Sequence, residues 1–317
     1  MSLDVAVLMG GPSAEAEVSR ASAAQIAEAL ESAGHTVTCY ELGAASVPLL
    51  AQTRPDVVFP ALHGPPGEDG TVQGMLDLLD LPYVGSGVHG AALAMDKSVA
   101  KAVFAQHGLP ILDEVIVSPD DDLTATAAVI AERYDNQVVV KPLNQGSAIG
   151  VAPLPDGGDV AGALTNALAH GRCLVEPFFV GREITVGVLA TEGRLIPHPV
   201  IEIVTADDEW YDYTNRYTEG RSRHLVPAPL PPEVSERLQT IAVTAHAALG
   251  LDDLSRADFI VNENGRIVLL EVNTLPGMTP TSLYPDGARE LGYDFPTLID
   301  LLVRQAHARG PRFAADS

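Results

Sequence analysis

Between Ser255 and Ser282 the chain reads SRADFIVNENGRIVLLEVNTLPGMTPTS, and its Asn264-Gly265 is the preferred dipeptide of a two-residue hairpin turn. Folding the chain there pairs residues whose numbers sum to 529, which sets Asp258 across from Glu271 and Arg256 across from Asn273. Side chains alternate with period 2 along a strand, so Ala257, Phe259, Val261, Val268, Leu270 and Val272 share one apolar face, predicted as core. The opposite face then gathers Arg256, Asp258, Glu271 and Asn273. Carboxylates directly opposed across two strands repel, and a cation between them relieves the repulsion. Hard oxygen donors of this kind suit Mg²⁺. The plainer alternative is a solvated polar face on an edge hairpin.

A length of 317 residues accommodates two or three domains. No apolar run approaches the ~20 residues that span a bilayer, so no membrane association is expected. The start, MSLDVAVLMGG, lacks a basic signal-peptide region and reads as a first strand. Cys39 and Cys173 form no metal or redox motif, and free thiols in a reducing, cytoplasmic setting are expected. The net charge of −23 argues against nucleic acid as a partner, because phosphate contacts need clustered Lys and Arg. Lysine occurs only at positions 97, 101 and 141.

Strand and helix alternate from the N-terminus: strands at 3–9, 35–41, 56–62 and 82–84, helices from about 18 to 33 and near 70–80. That alternation predicts a small open α/β sheet. Beyond it, Asp96 caps a helix running to His107, strands fall at 112–117, 137–142 and 148–153, and helices near 124–133 and 161–170. A third region holds long strands at 183–191 and 194–204, a polar loop at 205–225, a helix at 232–249, the hairpin and a helix at 295–308. The expected division is 1–93, 94–178 and 179–317. The class is α/β, with α+β character in the second and third parts.

Gly85-Ser86-Gly87-Val88-His89-Gly90 fits GxGxxG, yet it lies outside a first βα unit and reads as a connector loop. Val138-Val139-Val140-Lys141-Pro142 runs into Asn144-Gln145-Gly146-Ser147-Ala148-Ile149-Gly150. A Gly-rich loop between antiparallel strands can close over phosphates, with the strand-end lysine as a point charge. Coupled to the acidic hairpin face, it suggests a nucleotide clamped between two sheets. Arg256 serves either as counter-ion to the carboxylates or as a stabiliser of developing negative charge. Pro276-Gly277 suits a type II turn, or an N–H aimed at an oxyanion. His63 ends an apolar strand, where open sheets bind ligands, or is a capped loop histidine. Glu15 and Glu17 favour a helix dipole, or one of them holds a substrate ammonium. Trp210 to Tyr217 reads as an aromatic lid or interface.

The segments GGPSAEAEVS, ALHGPPGEDGTVQG, SGVHGAALAMDK, VVVKPLNQGSAIGV, VEPFFVGREITVGV, WYDYTNRY, SRADF and LLEVNTLPGMTPTSL occur in that order over nearly the whole chain. Together they make it resemble the D-alanine–D-alanine ligases of the ATP-grasp superfamily. The resemblance implies a three-domain ATP-grasp architecture, ATP as co-substrate, two Mg²⁺ ions (or Mn²⁺ in their place), a homodimer and a role in supplying peptidoglycan precursors. It implies that Glu15 holds the first amino group and that Ser147 and Tyr217 link that glutamate to the lid. Arg256 and the Gly277 N–H would bind the oxyanion, and His63, Ser282 and Leu283 would line the amino-acid pockets. Lys97 and Lys141 would contact ATP phosphates and Glu183 the ribose. Glu176, Pro177 and Phe179 would frame the adenine, with Trp210 and Arg216 closing the nucleotide site. Asp258, Glu271 and Asn273 would carry the metal.

Three positions depart from the family pattern. Arg216 stands where lysine usually meets the γ-phosphate, which keeps charge but changes geometry. Ala148 replaces a serine and loses one hydroxyl. Pro177 keeps its carbonyl but has no N–H. Tyr217, rather than phenylalanine, favours a dipeptide over a depsipeptide product. The alternative is a related ATP-grasp ligase with a different amino-acid or hydroxy-acid second substrate.

Overall fold

The structure, a computed structural model, describes residues 1–205, 218 and 220–313. Its first part alternates β1 (Asp4–Met9), α1 (Ala16–Ser32), β2 (Thr36–Glu41), α2 (Ser46–Thr53), β3 (Val57–Pro60) and α3 (Thr71–Leu78). The three strands are parallel in the order β2-β1-β3. Residues 82–84 contribute only a parallel bridge between Val58 and Tyr83 rather than a full strand. The connector loop expected at Gly85–Gly90 is a loop only at its start, because α4 (Val88–Met95) begins within it.

The second part holds α5 (Lys97–Gln106), β4 (Val115–Val117), α6 (Leu123–Tyr134), β5 (Val138–Pro142), β6 (Ala152–Leu154), α7 (Val160–Leu168) and β7 (Cys173–Pro177). Its antiparallel sheet runs β4-β7-β5-β6. Asp96 caps α5 as expected, its Oδ1 accepting from the N–H groups of Ser98 and Val99 at 3.1 Å each.

The third part holds β8 (Arg182–Thr191), β9 (Arg194–Pro197), β10 (Ile201–Thr205), β11 (Ser222–Leu225), α8 (Pro232–Ala248), β12 (Leu254–Val261), β13 (Ile267–Asn273), α9 (Leu283–Glu290) and α10 (Phe295–Arg309). The sheet order is β11-β10-β8-β12-β13, with β9 also on β8. The single strand predicted at 194–204 is broken at His198–Val200, where Pro197 and Pro199 remove ladder donors. One core packs α10 and residues of α9 onto β1, β3 and α1. A second lies between α8 and the β8-β12-β13 face, and a third between α6, α7 and the second sheet.

The 255–273 hairpin corrects the sequence reading twice. Asn262 pairs with Arg266 through Asn262 N–H to the Arg266 carbonyl, 3.1 Å, so the loop has three residues, not two. Gly265 takes the left-handed position, φ 73°. Pairs near the turn therefore sum to 528: Val261 with Ile267, Ile260 with Val268, Phe259 with Leu269. A bulge follows, leaving Leu270 as the extra residue, and the register becomes Asp258 with Glu271 and Arg256 with Asn273. The core face is consequently Ala257, Phe259, Val261, Ile267, Leu269 and Val272. Leu270 turns toward a cleft instead.

Candidate active site

The second and third sheets face one another across a cavity of about 710 Å³. That volume falls within the range of small-molecule and cofactor sites. Lys97, Lys141, Glu176, Pro177, Phe179, Glu183, Arg256, Asp258 and Glu271 all line it. Ile260 and Leu270 add apolar wall. Gly181 is required at the turn into β8, because a Cβ there would lie 2.6 Å from Ile260 Cγ2 and from the Val261 carbonyl oxygen.

The opposed acids are met by side-chain cations. Arg256 forks onto Asp258, Nε to Oδ1 at 2.9 Å and Nη2 to Oδ2 at 2.8 Å. Thr185, paired with Asp258 from the other flanking strand, donates to its Oδ1 at 2.6 Å. Asn273 Nδ2 donates to Asp258 Oδ2 at 3.0 Å. Lys97 Nζ lies 3.2 Å from Glu271 Oε2 and donates to the Gln145 carbonyl at 2.7 Å. Lys97 thereby ties the acidic strand to the Gly-rich loop. Two carboxylates and an amide on adjoining strands form a hard, all-oxygen donor set once Asn273 presents its carbonyl, and such a set fits Mg²⁺.

Glu176 carries a second charged cluster at the far wall. It ion-pairs with Lys101 and with Lys141, and Lys101 Nζ also lies 2.7 Å from Glu114 Oε2. Burial works to raise the Glu176 pKa, but the two ammonium groups outweigh it and hold the carboxyl below its ordinary range. Arg266 stacks its guanidinium 5.1 Å from the ring centre of Phe179.

A third group lies where the first sheet meets the Gly-rich loop. Glu15 precedes α1 without capping it, and its buried carboxylate accepts from Ser147 Oγ. Glu17 points outward to Arg20. The helix-dipole alternative thus suits Glu17, and Glu15 is the carboxylate facing the site. Ser147 and Ala148 both hold left-handed backbone, φ 48° and 59°, a sparsely populated conformation that occurs at functional loops. His63 is buried, its Nε2 3.3 Å from Ser22 Oγ. Desolvation lowers its pKa more than the nearby Glu15 charge raises it.

Glu68, within the quoted ALHGPPGEDG segment but not assigned a role there, belongs to this group. It accepts from the N–H groups of Gly64 at 2.7 Å and Leu275 at 3.3 Å. Burial and the Glu15 charge push its pKa up to about 7. Arg256, which lines the cleft, is near enough to lower the pKa of both His63 and Glu68 by its charge.

Gly277 lies on the loop leaving β13, but its φ is not left-handed, so the expected type II turn is absent. A Cβ at Gly277 would lie 3.3 Å from Ser282 Oγ. Ser282 Oγ accepts from the Thr279 N–H at 3.1 Å, and Leu283 is buried at the start of α9. Trp210, Arg216 and Tyr217 lie outside the described residues. Thr185, Glu68, Lys101 and Leu270 were missed. Each owes its position to a partner strand or loop far away in sequence, and only Lys101 carried a signal, the rarity of lysine.

Family models described as "D-ala D-ala ligase C-terminus" and "D-ala D-ala ligase N-terminus" match residues 103–304 and 46–86. A D-alanine–D-alanine ligase of Acidiphilium cryptum is 47% identical over 96% of this chain and 99% of its own. One of Rhodospirillum rubrum is 46% identical over the same shares. Among solved structures, the Bacillus anthracis D-alanine–D-alanine ligase complexed with ATP superposes with TM-score 0.82 at 28% identity, covering 97% of this chain and 98% of that one. D-alanyl-alanine synthetase A of Vibrio cholerae superposes with TM-score 0.85 at 26% identity, covering 97% and 99%.

Proposed function

The chain belongs to the D-alanine–D-alanine ligase family, with its ATP-grasp fold, and joins two D-alanine molecules at the expense of ATP; we propose how its residues divide that work. The reaction passes through an acyl phosphate. The first carboxylate takes the γ-phosphoryl group, the second amine attacks the carbonyl carbon, and phosphate leaves as the peptide bond forms.

The observation that carries the assignment is the meeting of Asp258, Glu271, Lys97 and Arg256 in one wall of the cleft. Lys97 and Lys141 would bind the phosphates of ATP, with Glu176, Pro177 and Phe179 at the base and Glu183 at the ribose. Asp258, Glu271 and Asn273 would hold Mg²⁺, which supplies charge neutralisation to the transferring phosphoryl group. Arg256 would stabilise the tetrahedral oxyanion, together with the N–H of Gly277. Glu15, buried beside the sheet edge, would pair with the ammonium of the first D-alanine. Ser147 already reaches Glu15, and Tyr217 would extend that link to the lid. His63, Ser282 and Leu283 would shape the amino-acid pockets.

Among the described residues no helix is long and apolar enough to cross a membrane. A cytoplasmic homodimer feeding peptidoglycan precursor synthesis completes the reading. Coupled detection of ADP tests it: release should require both D-alanine and Mg²⁺, and the product should be D-alanyl-D-alanine. ADP release indifferent to D-alanine, or mainly depsipeptide in a D-alanine and D-lactate mixture, would overturn it.

A further inference from the structure

We propose that Lys101 sets the base preference of the cleft, holding Glu176 as a fixed anionic acceptor so that the site takes a purine with an exocyclic amine and refuses one with a carbonyl there. This rests on reading the cleft as the nucleotide site with Glu176 against the base. Lys101 itself lines neither the cavity nor any assigned position; it is buried on α5, behind the wall.

The sheet register shows why a cation is needed there. Glu176 of β7 pairs with Val139 of β5, and Lys141 lies two residues along on the same face. On the other flank β4 pairs Val115 with Val175, and one step further Glu114 comes beside Glu176. Two carboxylates at facing positions repel, as Asp258 and Glu271 do on the opposite wall. Lys101 Nζ sits between them, 2.7 Å from Glu114 Oε2 and hydrogen-bonded to Glu176 Oε1. Two ammonium groups and two carboxylates thus balance in a buried space.

The balance has a chemical consequence. With Lys101 on Oε1, Glu176 stays ionised and cannot rotate, and it offers only acceptor character. An amine N–H is welcome and a carbonyl oxygen is repelled. Lys141, on the other carboxylate oxygen, keeps reach toward the phosphates. Without Lys101, Glu114 and Glu176 compete for Lys141. Glu176 then favours the protonated form, which can donate, and Lys141 is drawn from the phosphates. Lys101 is accordingly a positioning residue.

The test is equilibrium binding of ADP and GDP to the full-length protein by calorimetry, without amino acid, alongside KM and kcat for ATP. Wild type should bind ADP at least tenfold more tightly than GDP. Lys101→Met should lower that ratio by about tenfold and raise KM for ATP with kcat nearly unchanged; Lys101→Arg should retain the ratio. Lys101→Met with Glu114→Gln restores charge balance and should fall between, about threefold below wild type. Equal weakening of both nucleotides at an unchanged ratio would mean a structural role only and overturn the proposal, as would wild-type indifference to the base. Should Lys101→Met not fold, the balanced double variant decides, an unchanged ratio there being fatal. Because binding is read without D-alanine, failure of the ligase reading would appear separately, in the ADP-release assay.

Discussion

The cations around the acids decide what each acidic residue does. Glu271 faces the cleft, its carboxylate 3.2 Å from Lys97 Nζ. Glu271→Gln keeps size and removes charge, so metal-dependent turnover should fall on the order of 100-fold or more. Stability should move by less than about 1 kcal/mol, since loss of the Lys97 pair is offset by relief of the cross-strand repulsion with Asp258. ADP release at saturating Mg²⁺, with a urea melt beside it, checks both numbers. Glu68 presents the reverse case. Its carboxyl titrates near 7 when folded and near 4.5 when unfolded, so the folded state binds more protons between those values. Stability is therefore greatest below about pH 4.5 with respect to this group and declines as pH rises through 7. The full penalty is on the order of 3 kcal/mol. Glu68→Gln retains an acceptor for the Gly64 and Leu275 N–H groups and abolishes the penalty. The variant should lose less stability than wild type between pH 5 and pH 8, measured by urea midpoints at each pH. Equal losses would remove Glu68 as the titrating group.

At the scale of elements, the β12–β13 hairpin separates what sequence reveals from what it hides. Opposition of Asp258 and Glu271 was foreseen, but from a turn one residue too short. The bulge at Leu270 adds the residue back, and the two slips cancel before the acids are reached. Asn-Gly marks a turn reliably, whereas its length depends on Asn262 closing to Arg266. At the bulge the Leu269 N–H turns to the Pro110 carbonyl, 2.7 Å, a partner that local pattern does not contain. For the same reason α9 went unseen: Pro285 and Gly287 break its helical pattern, and packing against β8 restores it. The Glu15–Ser147 contact joins residues 132 apart, so only the family resemblance, not periodicity, brought it forward. The corrected register makes a pairwise prediction. Leu269 is 1% exposed and faces α8, so Leu269→Ala should cost about 2–5 kcal/mol with nucleotide affinity in the surviving fold little changed. Leu270→Ala should cost less than half as much stability and several-fold in KM for ATP. Equal stability losses would mean that the bulge does not re-aim Leu270.

At the scale of the whole molecule, the last helix returns to hold the first sheet and its exit. α10 packs on α1 and β3, and two arginines near its end grip residues 83–85. Arg309 forks onto Asp253 at 2.5 and 2.9 Å and donates to the Tyr83 carbonyl at 2.8 Å. Asp253 also accepts from the Gly85 N–H at 2.7 Å. Arg312 reaches Asp252 and the Gly85 carbonyl, each at 2.8 Å, with its guanidinium 4.9 Å from the Tyr83 ring. Asp253 is buried and holds left-handed backbone, φ 56°. Its charge is tolerable only while Arg309 is present. Arg309→Met should therefore cost about 3–5 kcal/mol, more than an exposed ion pair could, because a buried carboxylate is left behind. Adding Asp253→Asn should recover most of that loss. Asparagine is at ease in the left-handed region, and its amide oxygen still accepts from Gly85. Neither change touches the cleft, so kcat below the melting range should stay within about twofold of wild type. A double variant as unstable as Arg309→Met alone would show that α10 acts through its apolar face and that the charge pair contributes little to joining the two ends of the chain.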